Sequence, residues 1–186
     1  MKLIKIIIFL LISFNISLKV NSNDNLQNIL NEGGKLIFIR HAYAPGGGDP
    51  DNFQISNCAT QRNLNKEGIE QSKKIGKLFT KHNIKMSKVL SSEWCRCKQT
   101  AEHAFKNYDT KSFLNSFFSQ KFSHNKSIQI KELKEQIEKW EDKKNLIFVT
   151  HYVVILEVLN LSVSPGEIIV TDKKFNILFR QTTHNN

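Results

Sequence analysis

The sequence has few of the features from which cofactor sites, metal sites and repeat architectures are built. Its 186 residues include eight glycines, and the glycine-rich run at 44–51 matches neither a dinucleotide-binding fingerprint nor a phosphate loop, because no Gly-Lys-Ser/Thr follows it. Cys95 and Cys97 are one residue too close for the usual Cys-x-x-Cys, and the histidines are not grouped at ligand spacings. No internal repeat is present. We therefore expect no cofactor and no bound metal.

Acidic residues are scarce relative to basic ones. Lysine and arginine number 27 against 17 aspartates and glutamates, which gives a net charge of +10. No nucleic-acid-binding signature accompanies this charge, and many lysines are dispersed as on a solvated helix face. We expect the excess to attract a small anionic substrate rather than a nucleic acid. The dispersed lysines include Lys73, Lys74, Lys77, Lys81 and Lys85.

The apolar run near the N-terminus is too short to span a bilayer comfortably. It covers the thirteen residues 6–18 and is interrupted by three polar ones. Two lysines precede it and small residues follow at 20–22, which predicts a cleaved signal peptide at 1–22, with an uncleaved anchor as the alternative. The segment has no cysteine, so lipoprotein attachment has no acceptor. Cleavage removes three lysines and leaves one exported domain, 23–186, periplasmic or secreted, with a net charge of +7 and no membrane contact.

Two apolar segments of the chain end on a histidine. Residues 36–39 lead into Arg40 and His41, and about 110 residues later 146–149 lead through a threonine into His151. Both runs predict buried strands of a parallel sheet, and ligands of open α/β sheets bind at the carboxyl ends of strands. One strand-terminal histidine is more often structural than catalytic. Two matching strand ends beside an arginine favour a site in which the two histidines meet.

These motifs resemble those of a known family. Arg40-His41-Ala42 resembles the Arg-His-Gly signature of the histidine phosphatase superfamily, the phosphoglycerate-mutase-like group. Residues 62–68 are similar to its Arg-x-Leu-Thr/Ser-x-x-Gly segment, and residues 92–101 to its Ser-x-x-x-Arg-x-x-x-Thr-Ala pattern. The resemblance implies an α/β fold of three layers, with a mixed, mostly parallel sheet and helices on both faces. We interpret the chain as a small exported branch of this superfamily.

The resemblance also implies a chemistry. His41 would attack phosphorus and form a phosphohistidine, while Arg40, Arg96 and His151 neutralise the phosphoryl oxygens and Arg62 assists at the rim. The implied function is a metal-independent phosphatase that hydrolyses small phosphomonoesters. A mutase-type phosphotransferase and a catalytically weak phosphate- or phospholigand-binding protein of the same fold are the alternatives.

The chain departs from the family pattern at three places. Ala42 replaces the signature glycine, Thr150 precedes the second histidine where glycine is frequent, and the segment 114–116 offers no match to the family's proton-donating acid. The remaining candidates for the proton donor are Glu167, Glu93 and Asp49. Among these, Glu167 is favoured because it opens a predicted strand just after the His151 helix.

Three cysteines in an exported chain predict one disulfide and one spare thiol. Within the family context, we expect Cys58 to pair with Cys95 or Cys97, which would tie the loop of Arg62 to the helix of Arg96. The sequence does not distinguish the two pairings, and it does not predict the oligomeric state.

The remaining pattern predicts the other elements of the fold. Asn65 is expected to cap an amphipathic helix, and the run at 44–51 is expected to form a flexible loop at the substrate entrance. The other predictions are a long connection at 107–127, a helix whose inner stripe ends at a core Trp140, a buried helix at 152–161, and a hairpin of strands at 167–171 and 175–180.

Overall fold

A computed structural model describes residues 22–183 of the chain. The predicted signal peptide therefore lies outside the described residues, except for its last position, and stays a prediction. The helices are α1 Ser22–Asn31, α2 Lys66–Lys81, α3 Cys95–Phe105, α4 Gln120–Ser123, α5 Lys126–Glu138 and α6 Tyr152–Leu159. The strands are β1 Leu36–Arg40, β2 Met86–Ser91, β3 Asp109–Thr110, β4 Asn145–Thr150, β5 Ile168–Thr171 and β6 Ile177–Gln181. In this part of the chain, no helix is long and apolar enough to cross a membrane.

The strands form one mixed sheet in the order β3-β2-β4-β1-β5-β6. The first four strands are parallel, β5 runs antiparallel to β1, and β6 returns antiparallel to β5. Arg40 lies opposite Thr150 in the β1–β4 register, and the ladder continues because the His41 N–H donates to the Thr150 carbonyl at 2.9 Å. This register places His41 and His151 side by side at the carboxyl ends of the two central strands.

Helices cover both faces of the sheet, as predicted. Because successive side chains of a strand point to opposite faces, Ile37 and Ile39 pack towards α1, α2 and α3, whereas Leu36 and Phe38 pack towards α5 and α6. All four side chains are fully buried. Burial of each contributes about 1.5–3 kcal/mol relative to exposure, which fixes β1 at the centre of the molecule.

The start of α2 lies unusually close to the segment that follows β1. Asn65 caps the helix as predicted, because its side chain accepts a hydrogen bond from the Gly68 N–H at 3.0 Å. A Cβ atom at Gly68 would lie 2.0 Å from the carbonyl oxygen of Tyr43, so only glycine permits this approach. The close contact brings the loop before α2, with Arg62, to the end of β1.

The structure refines several of the predicted boundaries. The connection at 107–127 contains β3, a 3₁₀ turn and α4, which are too short to show a periodic pattern. Asn160, in the left-handed conformation, ends α6 two residues before the predicted end. The hairpin is present, but β6 begins at Ile177 because the Asp172 side chain accepts from the Lys174 and Asn176 N–H groups and extends the turn. Trp140 lies in the core as predicted, but it follows α5, which ends at Glu138, and does not lie in that helix.

Candidate active site

A cavity of about 830 Å³ opens at the carboxyl ends of β1 and β4. All five residues that the sequence predicts to bind or attack phosphate line it: Arg40, His41, Arg62, Arg96 and His151. The loop predicted to shape the entrance also lines it, through residues 46–51.

His41 is held as a neutral ring with a defined tautomer. Its Nδ1 lies 2.8 Å from the carbonyl oxygen of Ala42, which can only accept, so Nδ1 carries the hydrogen. Its Nε2 lies 3.2 Å from Nε of Arg96 and accepts a hydrogen bond from it. Burial and the neighbouring Arg96 charge hold the pKa of His41 well below its usual value. Nε2 is therefore an unprotonated nitrogen beside a guanidinium.

His151 is oriented by a chain of polar side chains. Its Nε2 lies 2.9 Å from Oγ of Ser92, and Ser92 donates its own hydrogen to Oδ1 of Asn115 at 2.9 Å. Ser92 must then accept a hydrogen bond from Nε2 of His151. The unprotonated Nδ1 of His151 therefore faces Arg96, whose Nη2 lies 3.5 Å away. Asn115 in turn donates to Glu93 at 2.6 Å. Burial, followed by the Arg96 charge, holds the pKa of His151 well below its usual value.

Arg96 lies between the two histidines and is paired with a carboxylate. Its Nη1 contacts both oxygens of Asp49, Oδ1 at 2.8 Å and Oδ2 at 3.0 Å, and Oδ2 also accepts from Nε1 of Trp94 at 3.1 Å. The ion pair is mostly buried. It fixes the guanidinium plane against the nucleophilic nitrogen of His41.

The other two arginines line the cavity and each have a buried Nε group that lacks a hydrogen-bond partner. Nη1 of Arg40 is anchored on the Val163 carbonyl at 2.7 Å, and Nη1 of Arg62 on the Ala44 carbonyl at 2.6 Å. The Nε groups of both side chains are buried without a hydrogen-bond partner among residues 22–183. Burial lowers the pKa of both guanidinium groups. The Arg62 charge lowers the pKa of Arg40 further, and the Arg96 charge lowers that of Arg62. A buried, under-compensated cluster of cations with free donors is suited to an anion.

Glu167, the favoured proton donor, does not line the cavity. Its carboxylate is 1% exposed and accepts from the Ser164 N–H at 2.7 Å and from Nε of Arg180 at 2.8 Å. The side chain thus pairs with β6 rather than with the site, and this geometry argues against a catalytic role. Glu93 does not line the cavity either, because it holds Asn115. Of the three candidates, Asp49 lies in the wall.

A disulfide joins the loop of Arg62 to the first residue of α3. Cys58 pairs with Cys95, so the structure contains one of the two pairings that the sequence left open. Cys97 is a free, buried thiol, and burial raises its pKa to about 12. Its Sγ lies 3.4 Å from Nε2 of His151. Within the described residues, no group of three or more His, Cys, Asp or Glu side chains is arranged to hold a metal ion.

Four aromatic side chains line the cavity, and we call them the aromatic wall: Phe53, Trp94, Phe118 and Phe122. The Phe53 ring stacks on Trp94 with 4.9 Å between centroids, and Phe122 meets Trp94 edge-on at 5.4 Å. Trp94 also contacts His151 edge-on at 5.5 Å. Sequence reasoning missed this wall because its members come from three loop regions and the four-residue helix α4, which share no periodicity.

Comparison with known proteins agrees with this geometry. The family model described as "Histidine phosphatase superfamily (branch 1)" matches residues 36–146. Because the match spans more than half of the sequence, the chain belongs to the histidine phosphatase superfamily. Its mixed α/β sheet is the fold of phosphoglycerate-mutase-like proteins. A search by sequence among curated proteins finds no match.

Solved structures share the fold at low sequence identity. The structure of the protein histidine phosphatase SixA complexed with tungstate has a TM-score of 0.59 at 12% identity, with 80% of this chain and 97% of that chain covered. A phosphoglycerate mutase from Thermus thermophilus has a TM-score of 0.56 at 16% identity, with 80% and 98% covered. The α-ribazole phosphatase from Shigella flexneri has a TM-score of 0.54 at 17% identity, with 78% and 93% covered.

Proposed function

We propose that this protein is an exported, metal-independent phosphatase that hydrolyses phosphomonoesters through a phosphohistidine at His41. The observation that carries the proposal is the unprotonated Nε2 of His41 beside Nε of Arg96, in a cavity that Arg40 and Arg62 also line. Export is supported by the signal-like pattern at 1–22 and by the Cys58–Cys95 disulfide, which is typical of oxidising compartments.

The first chemical step transfers the phosphoryl group to the protein. Nε2 of His41 attacks phosphorus, the bond to the ester oxygen breaks, and its electron pair goes to that oxygen, which takes up a proton. The ring becomes positively charged as the P–N bond forms, and the Nδ1–H bond to the Ala42 carbonyl stabilises that charge. Arg40 and Arg62 stabilise the phosphoryl oxygens with little reorganisation, because one nitrogen of each is already anchored on a backbone carbonyl, and Arg96 joins them as phosphate replaces Asp49 at Nη1.

The second step regenerates the free protein. Water attacks phosphorus, the P–N bond breaks, and its electron pair returns to Nε2 of His41, so that inorganic phosphate leaves and one proton is released. In both steps His151 presents Nδ1 to the phosphoryl group. A bound dianion offsets the neighbouring guanidinium charge and favours the protonated ring, which can then donate a hydrogen bond from Nδ1.

We assign the proton transfer at the ester oxygen to Asp49. In the free site its carboxylate is paired with Arg96. A phosphate dianion that takes over Nη1 of Arg96 would release the Asp49 carboxyl group from this partner, beside the bound ester. Once protonated, that group would supply the proton that the leaving oxygen needs.

A phosphate-binding protein of weak activity is the second candidate. It is favoured by the same Asp49–Arg96 ion pair, because an ionised carboxylate cannot protonate a leaving group. Mutase-type phosphotransfer would use the same His41 chemistry with an alcohol in place of water, so product analysis would detect it.

Turnover measured in the presence of a chelator distinguishes the phosphatase from the phosphate-binding protein. We expect the purified protein to hydrolyse p-nitrophenyl phosphate in EDTA and to form an acid-labile phosphate adduct, and expect His41→Ala to lose both. His103→Ala, on an exposed part of α3, is the matched control and should keep both. Tungstate binding without any turnover would favour the binding protein, and substantial activity in His41→Ala would exclude the covalent route.

A further inference from the structure

We infer that the alcohol portion of the substrate carries a planar aromatic ring that packs against the aromatic wall. This inference rests on the proposed phosphatase site and names the class of phosphomonoester that the site takes.

The cavity has room for far more than a phosphoryl group. Its volume of about 830 Å³ falls within the range of about 300–1,000 Å³ that is usual for sites of small organic molecules. The three arginines and two histidines lie together near the strand termini, whereas Lys121 lies over the ring of Phe122 in the aromatic wall. The remaining space is therefore available to the alcohol portion of the ester.

The aromatic wall is continuous with the phosphoryl end. Trp94 touches the ring of His151, and its indole N–H is held by Asp49, so the plane of the indole is fixed relative to the catalytic groups. Phe53 stacks on Trp94, and Phe122 closes a three-ring cluster with Phe53 at 5.6 Å. A substrate whose phosphate sits at His41 thus places its next atoms along a rigid aromatic surface.

Phe118 is the member of the wall that lacks a full set of neighbours. Its side chain is 74% exposed, whereas that of the adjacent Phe117 is 8% exposed and anchors the segment in the core. An exposed phenylalanine at the rim of a cavity presents a face on which a second ring can stack or meet edge-on. Polar side chains also line the cavity near this wall, namely Ser116, Ser119, Gln120 and Lys121, so the ring contact, and not a lack of polar partners, carries the inference.

Three alkyl phosphates test the inference. We choose 2-phenylethyl, 2-cyclohexylethyl and propyl phosphate, because all three release a primary alcohol and differ in the group distant from phosphorus. We expect kcat/KM for the phenylethyl ester to exceed that for the propyl ester by about tenfold and to exceed that for the cyclohexyl ester clearly, since aromatic pairs contribute more than buried area alone. Equal values for phenyl and cyclohexyl esters would overturn the aromatic preference in favour of a general apolar one.

Variants at Phe118 separate ring contacts from apolar contacts. Phe118→Leu keeps an apolar side chain and removes the ring, so we expect the phenylethyl-to-propyl ratio of kcat/KM to fall about three- to tenfold, mainly through KM. The matched control is Ile128→Ala, which removes another exposed apolar side chain, 63% exposed, from α5 outside the cavity. The control should keep the ratio. An unchanged ratio in Phe118→Leu would overturn the inference.

Calorimetry keeps the test independent of turnover. We would titrate the protein with 2-phenylethylphosphonate and propylphosphonate, which have no hydrolysable ester bond. Tighter binding of the phenyl compound without hydrolysis of any ester would support the inference and refute the phosphatase. Equal affinities, together with equal rates on the three esters, would refute the inference and leave the phosphatase standing.

Discussion

Nε of Arg96 donates a hydrogen bond to Nε2 of His41 over 3.2 Å, so the nucleophile and the central cation of the site are in direct contact before any ligand binds. This contact requires an unprotonated Nε2, because a protonated imidazole has no acceptor to offer a guanidinium. The hydrogen bond from Nδ1 to the Ala42 carbonyl enforces the same tautomer from the other side of the ring. The resting site is therefore already in the protonation state from which attack on phosphorus begins.

Replacement of Arg96 by lysine should remove the planar guanidinium group that contacts both histidines. Lysine keeps the charge but has no Nε–H at the position that contacts His41 and cannot bind two groups in one plane. We expect kcat/KM for p-nitrophenyl phosphate to fall by about 10²–10³, or roughly 2.7–4 kcal/mol, as for other preorganised donors. Tungstate affinity, measured by calorimetry, should fall as well.

The neighbouring Lys98 provides the control for Arg96. It lies on the same helix but does not line the cavity, so Lys98→Ala should keep both tungstate affinity and turnover. A wild-type tungstate affinity in Arg96→Lys would remove Arg96 from the phosphate site.

Two buried neutral histidines should make stability depend on pH. The folded-state pKa values of His41 and His151 are depressed by burial and by Arg96, whereas the unfolded chain binds protons at its histidines near about pH 6.5. The unfolded state therefore binds more protons at acidic pH. The free energy of unfolding should be greatest above about pH 6.5 and should fall as pH decreases below it, with a limiting slope of about 1.4 kcal/mol per pH unit for each histidine.

Urea unfolding at several pH values between about 5.5 and 7.5 measures this slope. His41→Gln should reduce it by up to the contribution of one proton, and the exposed His103→Gln should leave it unchanged. An identical slope in His41→Gln would mean that His41 binds a proton in the folded protein.

Sequence patterns predict the parts of this site that depend on local order. The strand ends at His41 and His151 follow from apolar runs, and the sheet register brings the two histidines together. Arg96 follows from a motif at the start of a helix. The pairing of Glu167 with Arg180 could not be predicted. The pairing depends on the register of β5 with β6. The extended turn at Asp172–Asn176 is accompanied by a one-residue shift in this register, and no short sequence pattern reveals that shift.

The orientation of His151 was beyond sequence reasoning for a related reason. Asn115 lies in an irregular connection, where the chain path is set by tertiary packing rather than by periodicity. Its amide reaches Ser92, 23 residues earlier, and through it the ring of His151. The sequence pattern shows that an acid is missing at 114–116, but it cannot show that an amide there supports the second histidine.

Reduction of the disulfide should loosen the rim of the site. The Cys58–Cys95 link closes a loop with a sequence separation of 37, for which chain entropy predicts about 3–4 kcal/mol of stabilisation. We expect Cys58→Ser to lower the free energy of unfolding by about this amount and to weaken tungstate binding, because Arg62 follows Cys58 on the same loop.

Peptide mapping without reductant should recover the 58–95 link. Cys97 alkylated in the native protein would contradict its burial.

The Glu167–Arg180 pair should contribute stability and not turnover. Glu167 is 1% exposed and accepts from both Arg180 and the Ser164 N–H, so Glu167→Gln leaves a buried site with one acceptor too few. We expect a loss of about 1–3 kcal/mol in the free energy of unfolding. Turnover of p-nitrophenyl and alkyl phosphates, measured well below the melting temperature, should stay within the error of the wild type. A selective loss on alkyl phosphates would restore Glu167 as the proton donor.

Replacement of Asp49 by asparagine tests the assigned donor by the basicity of the leaving group. An alkoxide needs a proton as the P–O bond breaks, whereas p-nitrophenolate leaves readily without one. General acid assistance is typically worth about 10²–10⁴ in rate. Asp49→Asn should therefore slow propyl phosphate hydrolysis strongly and slow p-nitrophenyl phosphate hydrolysis much less, since asparagine can still accept from Trp94 and hold the loop.

The pH profile of the same variant gives an independent readout. If Asp49 donates the proton, the wild-type profile of kcat on propyl phosphate should decline at basic pH as the acid loses that proton, and Asp49→Asn should lose this decline. Equal slowing on both esters, with the decline retained, would show that Asp49 only positions Arg96, because loss of their ion pair disturbs phosphate binding regardless of the leaving group. In that case the proton would reach the alcohol from water, and alkyl esters would be poor substrates throughout.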